Sequence, residues 1–332
     1  MTSGGAARAH HLYPLDRFPF AFNVITDALT GKTDGIMKRP ETDPLVILTN
    51  PAADYWSRRG SLVHTDSLGN DIVPPENVRI YLLSCTQHRY GPNEMPRLNA
   101  YRHMNNPINI TPVFRAVIDV LDAWATDGTL PPENMIPTKA DGTLVSMEVY
   151  NTQFPSIPDI ETPSSPNPMY VIDYGPDYDE KGITTEQPPM EYKSKEYAVL
   201  VPQVDSDGNE IAGIRLPHIE VPLATFTGWN FYPKGGAKEN ALSGNTGACI
   251  PFERTLKERS AKGDPRPSIE ERYPSKAHYV RLIALAAQKL VNQRLMLDED
   301  ADRYVDLALN ETDLWAQRSV PPVSLQPRER AT

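Results

Sequence analysis

Two polar side chains follow apolar runs at points where an α/β sheet could place chemistry. The run V-R-I-Y-L-L from Val78 leads through S-C-T-Q to His88, and the run P-L-V-I-L-T from Pro44 leads through N-P-A-A to Asp54. Continuous apolar runs of this length are typical of strands buried on both faces. Parallel strands end at the same edge of a sheet, where ligands bind. If the two strands are parallel neighbours, His88 and Asp54 lie close together.

A histidine held by a carboxylate is the arrangement of a general base. The imidazole changes charge near neutral pH, so it can take a proton from a nucleophile and return it to a leaving group. The carboxylate fixes the tautomer of the ring and stabilises the imidazolium. In the alternative interpretation, His88 caps a strand and bonds a backbone carbonyl, while Asp54 is a helix N-terminal acid stabilised by the helix dipole. Weaker candidates are His64, His103 and His218 for the base, and Asp43 and Asp71 for the acid.

The nucleophile that such a base would serve is not evident. A serine on a strand-to-helix turn is marked by G-x-S-x-G, and this motif does not occur in the chain. Ser61 and Ser243 each lie beside a glycine but lack the full motif, and Ser84 lies within the predicted strand. The nucleophile therefore stays unassigned.

Composition and charge narrow the classes of partner. The 332 residues carry 43 acidic and 33 basic side chains, for a net charge of −10. This balance argues against nucleic-acid and anionic-membrane partners, because phosphate groups are bound by basic surfaces. No apolar run approaches the roughly 20 residues of a membrane helix, and the first residues lack the apolar segment of a signal peptide.

No metal or cofactor is predicted. Cys85 and Cys249 are far apart, and no Cys or His spacing suits a metal. Cys85 is expected to be a buried apolar residue of the strand. The run D-S-D-G-N-E from Asp205 resembles a calcium loop only in part, because its glycine comes fourth and Leu216 stands where the bidentate glutamate belongs.

A pocket is one interpretation of the run A-T-F-T-G-W-N-F-Y, from Ala224 to Tyr232, which is dense in aromatic and small polar residues. The other interpretation is a packed aromatic corner. The candidate pocket residues are Trp56, His64, Thr227, Trp229 and Asn230.

The order of predicted elements indicates an α/β fold. A strand, an acid-bearing loop, a second strand, a His-bearing loop and a helix from Thr111 to Gly128 follow one another. A hairpin is predicted from 197–204 and 211–223, followed by helices at 251–262, after Ser275 and after Leu297. We assign the core to 1–150, a proline-rich crossover or linker to 151–196, the hairpin and helices packing on the core to 197–316, and a disordered tail to 317–332.

Many runs in one order resemble the alpha/beta hydrolase domain family of largely uncharacterised bacterial proteins. Among them are P-P-E-N-V-R-I-Y-L-L-S-C-T-Q-H, D-A-W-A-T-D-G-T-L-P-P, V-P-L-A-T-F-T-G-W-N and G-D-P-R-P-S-I-E-E-R-Y. The resemblance extends to about residue 309. It implies a serine hydrolase fold, hydrolysis of an ester or related acyl bond, His88 as the base and Asp54 as its acid, where the family usually has Glu.

Members of this family are longer, with an amino-terminal half that carries the serine and the oxyanion hole. The resemblance therefore implies the carboxy-terminal portion of an α/β-hydrolase fold, inactive or nearly so alone. We expect an ester-type small molecule as substrate and an upstream half as partner. The alternative is a non-catalytic ligand- or partner-binding module on a hydrolase-derived scaffold. Localisation stays open, since a signal peptide could lie in that upstream half.

Overall fold

The computed structural model describes residues 17–88, 101–186, 189–235, 238–311 and 315. It is a mixed α/β structure. Its strands are β1 (Ile25–Thr26), β2 (Thr33–Asp34), β3 (Val46–Pro51), β4 (Val78–Leu83), β5 (Met104–Asn105), β6 (Leu144–Val145), β7 (Tyr170–Asp173), β8 (Met190–Glu196), β9 (Val201–Pro202), β10 (Ala224–Phe226) and β11 (Ala248–Pro251). Its α-helices are α1 (Ala52–Ser57), α2 (Thr111–Asp127), α3 (Met147–Gln153), α4 (Tyr178–Lys181), α5 (Pro217–Glu220), α6 (Leu256–Lys262), α7 (Ile269–Arg272), α8 (Lys276–Asn292) and α9 (Asp298–Asn310).

The two predicted strands are parallel neighbours. β3 pairs with β4 in a level register that runs from Val46 opposite Val78 to Pro51 opposite Leu83. Because both strands end at the same height, the segments that follow them emerge at one edge of the sheet. This confirms the relationship on which the meeting of His88 and Asp54 depends.

Strand β4 is buried on both faces. Leu82 belongs to one apolar cluster, while Tyr81 and Leu83 belong to another, as the alternation of side chains in a strand requires. The first cluster contains the aromatic residues near Trp229, and the second is covered by α2, α8 and α9. Burial on both faces is the physical reason that the run is continuously apolar.

The two outer edges of the β3–β4 pair differ in their backbone hydrogen bonding. On the far side of β4, the Leu82 N–H donates to the Met135 carbonyl at 2.9 Å and the Ser84 N–H donates to the Ile214 carbonyl at 3.1 Å. On the outer side of β3, the backbone groups of Ile47 and Thr49 face away from β4. In the described part of the chain, nothing pairs with them. The outer edge of β3 is therefore open.

Most of the predicted helix ends are confirmed. Helix α2 runs from Thr111 to Asp127 with a left-handed Gly128 after it, although Ile110 and not Thr111 is its N-cap. Ser275 caps α8 by accepting a hydrogen bond from the His278 N–H. The predicted helix at 251–262 ends at Gly263 as expected, but it begins at Leu256, because the preceding residues form β11.

The predicted hairpin at 197–223 forms beside its turn but does not extend along both predicted strands. The turn itself forms, since Gly208 N–H donates to the Asp205 carbonyl at 2.9 Å. Beside the turn, Val204 and Glu210 form an antiparallel bridge, and the Ile211 N–H donates to the Gln203 carbonyl at 3.1 Å. Farther from the turn, β9 pairs with β6, and the returning segment bridges Leu83 through Ile214 before helix α5. The helices predicted for this region do form.

The proline-rich segment is more regular than its composition indicates. Strands β7 and β8 form an antiparallel pair with a register shift between Tyr170 and Val171. The proposed domain boundaries at 150, 196 and 316 stay predictions, and the tail predicted at 317–332 lies outside the described residues.

Candidate active site

The structure brings His88 and Asp54 into direct contact. Helix α1 follows β3 without a loop, so Asp54 lies in its first turn and is buried. The Nδ1 atom of His88 lies 2.8 Å from Oδ1 of Asp54. An ionised carboxylate only accepts hydrogen bonds, so Nδ1 carries the proton and Nε2 keeps its lone pair. The His88 side chain is 31% exposed, which leaves the ring accessible.

Both sequence interpretations of this pair are met in part. Asp54 is indeed a helix N-terminal acid, and the His88 main chain does bond a backbone carbonyl, that of Asn245 at 3.0 Å. These placements do not compete with the contact between the side chains. They instead fix the two main-chain segments from which the side chains project.

Arg58 completes the immediate environment of Asp54. Its Nη1 donates to Oδ1 of Asp54 at 2.9 Å, the same oxygen that His88 contacts. It also donates to the Gly244 carbonyl at 2.7 Å and to Asn245 Oδ1 at 2.6 Å. Arg58 was not among the residues predicted from the sequence. The available signal was its position four residues after Asp54, where a cation on a short helix can reach the carboxylate.

The turn after β4 is left-handed at Cys85. Strand β4 ends at Leu83, and Cys85 has φ of 57°, so the prediction that Cys85 lies within the strand is wrong, although it is fully buried as expected. A positive φ is uncommon for residues other than glycine. Burial raises the pKa of the Cys85 thiol well above its usual range, which suits an unreactive structural cysteine.

Three other segments hold this turn. The Cys85 N–H donates to Glu210 Oε2 at 2.6 Å, and the Glu210 N–H approaches the Cys85 sulfur at 3.0 Å. Asn106 Nδ2 donates to the Cys85 carbonyl at 2.5 Å. The Ala53 N–H donates to the Thr86 carbonyl at 3.0 Å, which joins the turn to helix α1. The His88 and Asp54 segments are thus tied to each other through their main chains.

The candidate pocket residues form the packed aromatic corner. All five are at most 3% exposed. The Trp56 and Trp229 rings meet edge to face at 6.2 Å, and Trp229 Nε1 donates to Tyr150 Oη at 3.0 Å. Thr227 and Asn230 bond the main chain of neighbouring loops, through contacts to Trp229, His103 and Gly247. The structure therefore places these residues in the arrangement that was the alternative to a pocket.

His64 is a buried core histidine. Its Nε2 lies 2.8 Å from Tyr55 Oη. Burial lowers the pKa of His64 to about 4, so the ring stays neutral near pH 7. Of the rival acids, Asp71 accepts from the backbone N–H groups of Lys139 and Ala140, and Asp43 accepts from that of Arg39. Neither acid contacts a histidine side chain among the described residues.

A cavity of about 570 Å³ lies beside the aromatic corner. Its wall includes Arg102, Glu161, Asn167, Phe231, Tyr232 and Lys238. Asn167 Nδ2 also bonds the Ser57 carbonyl at 3.2 Å, at the end of helix α1. The wall reaches Leu242, two residues before the carbonyl that Arg58 contacts. Phe231 and Tyr232 of this wall belong to the run from Ala224 to Tyr232, for which a pocket was one interpretation, so that interpretation is met in part. The link to the helix that carries Asp54 is the hydrogen bond from Asn167.

The serines considered as nucleophiles have structural partners. Ser61 Oγ accepts from the Leu200 N–H at 3.1 Å, Ser84 Oγ donates to the Ala212 carbonyl, and Ser243 Oγ accepts from the Thr246 N–H at 3.1 Å. Among residues 17–88, 101–186, 189–235, 238–311 and 315, no hydroxyl or thiol is hydrogen-bonded to His88.

The same described residues hold neither a metal-binding cluster nor a membrane-spanning helix. Within them, no three His, Cys, Asp or Glu side chains come together in a way that could hold a metal ion. Each helix in the described ranges is too short or too polar to span a lipid bilayer.

Comparison with known proteins gives one match. The model of the family described as alpha/beta hydrolase domain matches residues 55–306, a span that includes His88 and starts one residue after Asp54. No curated protein and no solved structure matches the chain. The match covers most of the chain and agrees with the α/β strand pair and with the resemblance seen in the sequence. The chain belongs to the alpha/beta hydrolase domain family.

Proposed function

We propose that this chain supplies the histidine and the acid of a serine hydrolase that cleaves an ester or related acyl bond. The observation that carries the proposal is the 2.8 Å contact between His88 Nδ1 and Asp54 Oδ1 at the carboxyl edge of two parallel strands. This contact leaves Nε2 of an accessible ring as a proton acceptor. Trp56, Thr227, Trp229 and Asn230, which a purely binding module would use, are buried, whereas Phe231 and Tyr232 line a cavity that would serve either function.

The chemistry follows from the orientation of the ring. Nε2 of His88 takes the proton of an attacking serine hydroxyl, and Asp54 stabilises the imidazolium that forms. The ring then returns the proton to the leaving alkoxide, and it activates water in the same way for the second half of the reaction. Arg58 holds the Asp54 carboxylate in place throughout, by its bond to Oδ1 and its two bonds to Gly244 and Asn245.

The serine and the oxyanion donors come, in this proposal, from a different segment. The sequence has no G-x-S-x-G motif, and in the α/β-hydrolase order the serine precedes the acid and the histidine. The open outer edge of β3 supports this arrangement. A further parallel strand paired with Ile47 and Thr49 would end at the edge where Asp54 and His88 lie. Strands β3 and β4 and helix α2 then correspond to the last core elements of the hydrolase fold.

The cavity of about 570 Å³ is the proposed place for the substrate. It falls within the range of small-molecule sites, and it borders helix α1 through Asn167. Its wall combines the aromatic rings of Phe231 and Tyr232 with the polar groups of Arg102 and Lys238. A small ester with a polar substituent suits that mixture.

Fluorophosphonate labelling tests the proposal. The purified chain is treated with the probe alone and after co-expression with the coding segment immediately upstream or adjacent to its gene, and the labelled residue is identified by mass spectrometry. We expect no specific serine to react in the chain alone. We expect a G-x-S-x-G serine of the co-expressed segment to react, and hydrolysis of p-nitrophenyl esters to appear with it.

Two variants make the result specific to the site. His88→Gln should abolish labelling and hydrolysis in the complex, whereas His103→Gln should leave both close to wild type, because His103 lies apart from Asp54. Specific labelling of a serine in the chain alone would show that the nucleophile is present here. A complex that forms but hydrolyses no ester would favour the binding-module alternative.

A further inference from the structure

We infer that Glu210 is a positioning residue for His88: its carboxylate holds the left-handed turn at Cys85 that aims the histidine at Asp54. This inference rests on the proposed function of His88. Glu210 Oε2 accepts from the Cys85 N–H at 2.6 Å, and the Glu210 N–H approaches Cys85 Sγ at 3.0 Å. The two residues therefore bind each other twice, across 125 positions of sequence.

The left-handed turn at Cys85 depends on hydrogen bonds from other segments of the chain. Cys85 has φ of 57° without being glycine, and such a conformation persists only where the surroundings determine it. The Cys85 N–H and carbonyl are both occupied, by Glu210 and by Asn106. Removal of the carboxylate leaves a buried N–H without a partner in a conformation that the isolated backbone disfavours. The expected response is that the backbone leaves the left-handed region.

Glu210 is itself fixed in place. Its carbonyl accepts from Arg215 Nη1 at 2.7 Å, and its backbone forms a bridge with Val204 across the 205–208 turn. Arg215 is in turn bonded to the Glu220 carboxylate at 3.0 Å. The carboxylate of Glu210 is thus presented from a braced loop, as a positioning group requires.

Burial of this ionisable carboxyl group costs free energy, which indicates a specific use. Glu210 is 4% exposed, and within the described residues no cation is bonded to its carboxylate. The titratable and charged groups that act on this buried pair are those of Cys85, Tyr55, Tyr150, Asp205 and Arg215. Desolvation raises the pKa of Glu210 to about 8. An apolar residue of similar size would avoid this cost but would not bond the Cys85 N–H.

The turn transmits a displacement to both catalytic side chains. His88 follows Cys85 by three residues, and the intervening Thr86 accepts the Ala53 N–H of helix α1 at 3.0 Å. A backbone change at Cys85 would therefore move His88 and would also release one bond to the helix that carries Asp54. The predicted consequence is loss of the bond between the His88 ring and Asp54.

The test measures the tautomer of the His88 ring by ¹⁵N NMR of histidine-labelled protein, at a pH where the ring is neutral. Wild type should show the Nδ1–H tautomer that Asp54 imposes. Glu210→Gln keeps an acceptor oxygen and should keep this tautomer. Glu210→Leu should shift the population to the Nε2–H form, in the same direction as Asp54→Asn.

A matched control separates positioning from general loss of stability. Asp300 is another buried acid. It lies on helix α9 and is bonded to Arg303 of the same helix and to Arg115 of helix α2. Asp300→Leu should lower the melting temperature but leave the His88 tautomer unchanged. An unchanged tautomer in Glu210→Leu would overturn the inference, while absence of the Nδ1–H form in wild type would overturn the proposed function.

A second measurement needs no variant. If the Glu210 bond holds the turn, the Cys85 amide of wild type should exchange with solvent at least about 100-fold more slowly than an unstructured amide. Exchange at the unprotected rate would contradict the inference, even if Glu210→Leu does not fold.

Discussion

His88 Nδ1 and Asp54 Oδ1 lie 2.8 Å apart, although 34 residues separate them in the chain. Two different kinds of contact create this proximity. Strands β3 and β4 are parallel and end opposite each other, so the segments that carry Asp54 and His88 emerge at one edge of the sheet. The hydrogen bond from the Ala53 N–H to the Thr86 carbonyl then joins these two segments. The following predictions test the pair and the groups that support it.

Asp54→Asn should remove the carboxylate that fixes the tautomer of the His88 ring, with little change in side-chain shape. The amide can donate to Nδ1, so the ring adopts the wrong tautomer. In a complex that contains the serine segment, kcat for ester hydrolysis should fall by about 10⁴-fold. Asp71→Asn is the control, because Asp71 bonds only loop N–H groups. A kcat close to wild type in Asp54→Asn would mean that Asp54 does not serve His88.

Arg58→Met should destabilise the site because it keeps the aliphatic stem of the side chain but removes its hydrogen bonds. The bonds to Asp54, Gly244 and Asn245 are lost, and the free energy of unfolding should fall by about 1–3 kcal/mol. The measurement is urea unfolding at pH 7.

Lys181→Met serves as the comparison for Arg58, because it breaks an exposed pair at the same i,i+4 spacing, with Asp177. That change should alter the free energy of unfolding by less than about 0.5 kcal/mol. Equal effects of the two substitutions would show that the Arg58 network adds nothing beyond a surface pair.

Glu210 should make the protein less stable as the pH rises. The unfolded chain loses this proton near pH 4.5, whereas the folded protein keeps it until about pH 8. The folded state therefore binds more protons in this window, and the free energy of unfolding falls by several kcal/mol as pH rises through it. In urea unfolding from pH 5 to pH 8, the free energy of unfolding should decline more steeply in wild type than in Glu210→Gln. An equal decline in the two proteins would contradict this role of Glu210.

His64, in contrast, should make the protein less stable as the pH falls. Burial lowers the pKa of His64 from 6.5 to about 4, so the unfolded state binds more protons between these values. Stability is then lost as pH falls from about 6.5 to 4. His64→Gln can still bond Tyr55 Oη and should remove part of this acid sensitivity. The measurement is the drop in melting temperature between pH 7 and pH 4.5. An equal drop in His64→Gln and wild type would contradict the assignment of this acid sensitivity to His64.

Gly228→Ala should displace helix α1. A Cβ atom at Gly228 would lie 2.5 Å from the Ala52 carbonyl carbon and 2.7 Å from the Ala53 nitrogen. Backbone atoms cannot yield cheaply, so we expect a loss of about 1–3 kcal/mol or more in the free energy of unfolding. Gly128→Ala, at a left-handed position in open space, should cost only about 1 kcal/mol. A tolerated Gly228→Ala would show that the aromatic loop and α1 are less closely packed.

The sequence by itself determined the parts that depend on local pattern. The apolar runs near Val46 and Val78 predicted strands buried on both faces. Both strands form, but only β4 is buried throughout, because residues Val46 to Thr49 of β3 are half-buried. Gly128 and Ser275 predicted helix ends, because their conformations and hydroxyl bonds act within a few residues. The strand order, together with the family resemblance, named Asp54 and His88 as candidate partners on the condition that the two strands are parallel neighbours.

Only the tertiary structure decided what depends on contacts between distant segments. Strand β4 takes Ile214 as a neighbour and β9 pairs with β6, so the predicted hairpin is confined to the residues beside its turn, which no local pattern records. The left-handed turn at Cys85 is held by Glu210, and the Asp54 carboxylate is shared between His88 and Arg58. Packing likewise divided the aromatic loop, whose Trp229 lies in the packed corner while Phe231 and Tyr232 line the cavity. Each of these outcomes balances burial against hydrogen bonding between residues that the chain brings together only when it folds.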